Sequence, residues 1–114
     1  MVEIHIFKDS AGSYRGLEVS GHAGFSDVEH GGDIVCAAVS ALVGYLGIAF
    51  SEVLPQGADV SADDGFFRLN LKPHLTASEP GVLIETFVRA VRQLEENYQG
   101  WVKVEERKWI QESP

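Results

Sequence analysis

The sequence predicts an α+β fold: a two-layer arrangement of one mixed β-sheet with two helices on one face, in the chain order ββαββαβ. Three observations predict it. Short segments alternate apolar and polar residues at strand spacing. Two longer segments carry apolar residues at helical density. The two kinds are interleaved, and a sheet with its helices on one face buries every apolar stripe at once. At 114 residues, 45% hydrophobic and 23% charged, residues 1–114 read as a single domain.

The elements follow in order. Val2 to Lys8 alternates as V-E-I-H-I-F-K, a half-buried strand. Asp9 to Gly12 is a turn, and Tyr14 to Ser20 returns as a second strand. Gly21 to Gly32 holds four glycines and two histidines without apolar periodicity, which marks a loop. Asp33 stands as a helix N-cap before a helix from Ile34 to about Val53. That helix is apolar nearly all round, so burial on most of its surface is expected, with Ala37, Ala41, Gly44 and Gly47 keeping one side thin. Leu54 to Gly57 ends it. Ala58 to Ala62 and Phe66 to Leu71 form a hairpin about the turn at Asp63-Asp64-Gly65. Thr76 and Ser78 are candidate caps for a second helix running to about Tyr98. Its stripe is Leu83, Phe87, Val91, Leu94 and Tyr98, widened by Ile84 and Val88. Gly100 stops it, and Trp101 to Glu105 is a last strand before a polar tail.

Charge and composition narrow the function. A net charge of −8 with scattered basic residues argues against direct nucleic-acid binding. The same charge suits a basic peptide partner. The uncharged run Ile34 to Ser51 is near the lower length limit of a membrane span. It is flanked by Asp33 and Glu52 and lacks basic anchors, so a soluble core helix is expected and no membrane partner. One cysteine excludes an intrachain disulfide, and Met1 leads straight into the first strand without a signal segment. The expected compartment is the cytoplasm.

The stretch Gly21 to Ser40 carries the chemistry. It places His22 just after a strand and Cys36 in the first turn of a helix, with a glycine-rich loop between. Unpaired N–H groups and the helix dipole at that position favour thiolate over thiol and could stabilise an oxyanion beside the sulfur. The plain alternative is an inert core cysteine. An imidazole at His22 can take the thiol proton and return it to a leaving amine. Asp33 has two readings, a cap that fixes the helix start or a third group that orients His22. Ser40 lies one turn beyond Cys36, either bonding near the site or back-bonding to its own helix. His5 reads as structural or surface, and His74 has no assigned role. His22, His30, Asp33 and Cys36 could together hold zinc, but their spacing fits no common zinc pattern. No metal and no cofactor is expected.

These residues resemble the signature of the ribosomal-processing cysteine proteases: G-H-A, a short glycine-containing loop, then G-x-D-I-V-C-A and a nearby serine. Here it stands as Gly21-His22-Ala23, then Gly31-Gly32-Asp33-Ile34-Val35-Cys36-Ala37, with Ser40. The resemblance implies a nucleophile at Cys36 and a general base at His22, with Asp33 and Ser40 in support. It implies a homodimer with a loop over the site, Ala23 to Gly32, to which Gly24, Gly31 and Gly32 belong. It implies removal of the N-terminal extension of large ribosomal subunit protein twenty-seven in bacterial ribosome assembly. The segment Gly24 to His30 is longer than the family's usual loop, which bears on the substrate. The alternative reading is a non-catalytic binding module for ribosome assembly.

Overall fold

A computed structural model describes residues 1–21, 32–55, 57–63, 65–72 and 78–110, with Asp33 and Ser78 described by backbone alone. The elements are β1 (Val2–Lys8), β2 (Tyr14–Ser20), α1 (Gly32–Ile48) running into a π-helical turn (Ala49–Val53), β3 (Ala58–Asp63), β4 (Phe66–Leu71), α2 (Ser78–Asn97) and β5 (Val102–Lys108). The five strands form one sheet in the order β3-β4-β2-β1-β5. β5 pairs parallel to β1 and the other pairs are antiparallel, so the sheet is mixed.

Alternation decides which face is covered. Ile4 and Ile6 of β1, Leu17 and Val19 of β2, Phe67, Leu69 and Leu71 of β4, and Val102 and Val104 of β5 are buried together. They meet Val35, Val39, Leu46 and Phe50 of the first helical segment and Ile84, Phe87, Val88 and Val91 of α2. Burial of side chains this size supplies about 1.5–3 kcal/mol each. Most intervening strand residues are polar, and some pair across strands, as in Arg68–Glu18 at 2.9 Å.

Four features depart from the sequence reading. α1 begins at Gly32, so Asp33 is its second residue rather than its cap, and Cys36 its fifth rather than its third. Helix starts drift by a residue or two wherever the first turn tolerates glycine. The helix does not continue regularly to Val53: the Leu54 N–H reaches Ala49 O at 2.7 Å, which widens the last turn before Pro55. α1 is not covered all round either. Ile34 is 60%, Tyr45 62% and Ile48 55% exposed, on an arc that includes Ala37, Ala41 and Gly44. The run Ile34–Val53 is long and apolar enough to cross a membrane, yet its other face carries core residues of the sheet layer. Finally, β5 extends through Lys108, because Glu106, Arg107 and Lys108 pair with Ile6, Phe7 and Lys8 of β1. The Lys8–Glu106 contact at 2.9 Å offsets the polarity of that end.

Candidate active site

Cys36 sits on α1 where the helix crosses the end of the sheet. It is buried, 5% exposed, and lines a cavity of about 390 Å³. Side chains on a helix lean toward its N-terminus, so the Cys36 sulfur hangs over the first turn although its Cα lies one turn in. The first-turn N–H groups have no helical partners, and the positive end of the dipole lies there.

One wall of the cavity is α1, with Ser40, Val43 and Gly44. The other is the β3–β4 hairpin, with Ala62, Asp63 and Phe66. Phe67 also lines the cavity. Asp63 is the one carboxylate among the described lining residues. The helix wall is thin at Gly44, where among the described residues nothing lies within 4 Å of where a side chain would start.

The third side is the end of β2. Gly21 lines the cavity and has φ +82°, a left-handed conformation that glycine adopts without strain. A side chain there would lie 2.5 Å from Met1 O, so the close approach also requires glycine. The Gly21 N–H donates to Gly65 O at 3.2 Å, which ties the exit of β2 to the β3–β4 turn. This tie exists because β2 pairs with β4, Ser20 opposite Phe66.

The structure thus brings Cys36 and Ser40 to one cavity and starts α1 at Gly32 beside them. His22, Gly24 and Gly31 lie outside the described residues, as do His30, His74 and the side chain of Asp33. The zinc reading falls mostly on those residues. Among the described residues no group of three His, Cys, Asp or Glu is placed to hold a metal. The hairpin wall was missed by sequence reasoning, which took Asp63-Asp64-Gly65 only as a turn. Nothing local marks it; only the β2–β4 pairing carries it to the cysteine.

The family model of the cysteine protease Prp matches residues 1–103. The chain belongs to the cysteine protease Prp family. No curated protein matches it. The Prp ribosomal processing protease of S. aureus, solved with a covalently linked product peptide, shares the Prp fold at TM-score 0.80 and 23% identity. That match covers 94% of this chain and 100% of that one. The same protease with a substrate peptide matches at TM-score 0.82 and 22% identity, over 94% and 100% of the two chains. SMU.848 of Streptococcus mutans matches at TM-score 0.81 and 25% identity over 96% of each chain. The Prp assignment makes the chain a cysteine peptidase on an α+β sheet.

Proposed function

We propose that residues 1–114 form one endopeptidase domain that removes the N-terminal extension of large ribosomal subunit protein twenty-seven, using Cys36 as nucleophile and His22 as general base. The observation that carries this is the cavity shared by Cys36 and Gly21. His22 follows Gly21 directly, and consecutive Cα atoms are about 3.8 Å apart, so His22 is one residue from the cavity lining along the chain.

In the first half-reaction His22 takes the Cys36 proton and the sulfur adds to the scissile carbonyl. The first-turn N–H groups of α1 stabilise the resulting oxyanion. The C–N bond then breaks, the imidazolium gives its proton to the departing amine, and a thioester remains on Cys36. Water, deprotonated by His22, adds to the thioester; the C–S bond breaks to release the new C-terminal carboxyl group, and the imidazolium returns its proton to the Cys36 sulfur. Asp33, in the first turn of α1, orients His22 or complements the positive end of the helix dipole. Ser40 is positioned to bond a substrate group in the cavity.

The peptidase acts in the cytoplasm, where a thiol stays reduced, without cofactor, metal or nucleic acid. It works as a homodimer. Support for the dimer is the exposed arc of Ile34, Ala37, Ala41, Tyr45 and Ile48. Two chains of charge −8 can meet along an arc without charge while avoiding like-charge repulsion.

The low exposure of Cys36 favours a second reading, a non-catalytic module that binds a ribosomal protein. One experiment separates them: a peptide of the ribosomal extension is mixed with the protein and followed by mass. Cleavage lost in both Cys36→Ser and His22→Ala supports the peptidase. Binding without cleavage, with Cys36 inert to an alkylating reagent in the folded chain, overturns it.

A further inference from the structure

We infer that the outer edge of β3 is the substrate track: an extended basic peptide leaving the Cys36 cavity adds to the sheet as a sixth strand, bonded to the backbone of Val60 and Ala62. This rests on the peptidase reading above and adds where the peptide runs.

The two outer strands are treated differently by the fold. β5 ends one side of the sheet, and its Val104 N–H is taken by Glu95 Oε2 of α2 at 2.8 Å. One outward donor of that edge is thus taken by a side chain. β3 ends the other side, and among the described residues no strand lies beyond it. Every β3 residue except Ala58 is exposed.

The ladder shows which backbone groups face outward. The Lys72 N–H donates to Gly57 O at 3.2 Å, which makes 57 and 72 a bonded pair. Bonded and non-bonded pairs alternate along an antiparallel ladder. With Ala58 opposite Leu71 and Asp63 opposite Phe66, the residues turned toward β4 are Asp59, Ser61 and Asp63. Val60 and Ala62 therefore carry both N–H and C=O outward.

The edge is continuous with the site. Ala62 lines the cavity together with Cys36 and Ser40. A strand paired at Ala62 and then Val60 leaves that cavity at about 3.3 Å per residue. Val60, 36% exposed, and Ala62 offer small apolar contacts on the helix side to alternate side chains of the incoming peptide.

Charge selects the occupant. Exposed edges are commonly blunted by lysine or proline, and β3 (ADVSAD) has neither. Its charged residues are Asp59 and Asp63. The Asp59 side chain is 80% exposed and lies 4.0 Å from Lys72. Carboxylates along the edge disfavour pairing of one β3 with another and favour a peptide carrying lysine or arginine. Addition of a strand to an open edge is a recurrent mode of peptide recognition in which main-chain bonds supply affinity.

The test uses the full chain and a synthetic peptide of the ribosomal extension with several residues past the scissile bond. Amide hydrogen exchange is followed in the Cys36→Ser protein as peptide is added. Exchange at Val60 and Ala62 is expected to slow about tenfold or more at saturation. In the unaltered enzyme, Val60→Pro and Ala62→Pro are expected to raise KM about tenfold with kcat nearly kept, since each removes one outward donor. Proline is tolerated at an outward edge position, and thermal melts verify that the variants fold. N-methylation of single peptide amides on the unaltered enzyme reports the same bonds with no variant at all. If the peptide is cleaved while Val60 and Ala62 exchange as before and no single N-methyl group matters, the edge track is overturned and the peptidase stands. If the peptide is neither bound nor cleaved, both fall.

Discussion

Gly21→Ala probes the cavity-lining residue that precedes the proposed base His22 in the chain, with Gly12→Ala as its control. Both glycines have left-handed φ, +82° and +83°. An alanine at either place costs about 1–2 kcal/mol for that conformation alone. At Gly12 nothing lies within 4 Å of the added carbon. At Gly21 the added carbon would be 2.5 Å from Met1 O, a backbone atom that cannot swing aside. Moving it disturbs the start of β1, where the Val2 N–H donates to Trp101 O at 2.9 Å. Overpacking of this kind adds about 1–3 kcal/mol. In a domain of this size 1 kcal/mol shifts Tm by about 4 °C. The expected drops are about 4–8 °C for Gly12→Ala and about 8–20 °C for Gly21→Ala, read by calorimetry. Peptide cleavage below both transitions should fall at least tenfold for Gly21→Ala and stay within twofold for Gly12→Ala. Equal drops in Tm would refute the close approach to Met1. An unchanged cleavage rate in a destabilised Gly21→Ala would refute the coupling of the Gly21 turn to catalysis.

Other outcomes follow from the network on α2 and from the open arc of α1. The Tyr14 hydroxyl is pushed up to about 12, first by burial and then by its 2.6 Å hydrogen bond to Glu85. Ultraviolet titration should show one of the three tyrosines ionising well after the ordinary value of 10.0, and Tyr14→Phe should delete that late phase. The raised value belongs to the folded state. Its contribution to stability is therefore present below pH 10 and lost as pH rises from about 10 to about 12. If the chain pairs along the α1 arc as proposed, Ala41→Glu at its centre should convert that dimer to a monomer in sedimentation with Tm changed by less than about 4 °C. A dimer that persists would move the interface elsewhere.

The sequence specified its strands most sharply where one face is buried and the other is not. β1, β2 and β4 match their expected bounds because alternation there is enforced by a covered face. α2 was legible for the same reason, its stripe being centred on Ile84, Phe87, Val88 and Val91. α1 was harder, since an unbroken apolar run carries no information on which side meets the sheet. Its open arc is visible only once β2 and β4 are beneath it. The last three residues of β5 were also hidden, because their partners lie in β1, a hundred residues away. The site was half legible. Cys36 and Ser40 follow from helical spacing, whereas Ala62, Asp63 and Phe66 reach the cavity through the strand order β3-β4-β2, which no local signal encodes.

Gly44 shows how that missing information changes the meaning of a residue. In the sequence it suits close packing, as does Gly47, where an added side-chain carbon would lie 3.9 Å from the Phe67 ring. Among the described residues nothing lies within 4 Å of a carbon added at Gly44, which forms part of the cavity wall instead. A glycine inside a helix costs about 1 kcal/mol relative to alanine. Gly44→Ala should therefore raise Tm by about 4 °C, since the added methyl meets no atom of the described residues. Gly44→Leu keeps most of the helical gain but fills cavity beside Ser40 and Cys36. Its Tm should match or exceed that of the unaltered chain while KM for the ribosomal peptide rises about tenfold or more. A small alkylating reagent should still reach Cys36 in both variants. Stability gained with peptide binding lost is the pattern of a helix kept thin for a substrate. If Gly44→Leu is stable and cleaves as before, the groove between α1 and the β3–β4 hairpin is not where the peptide lies.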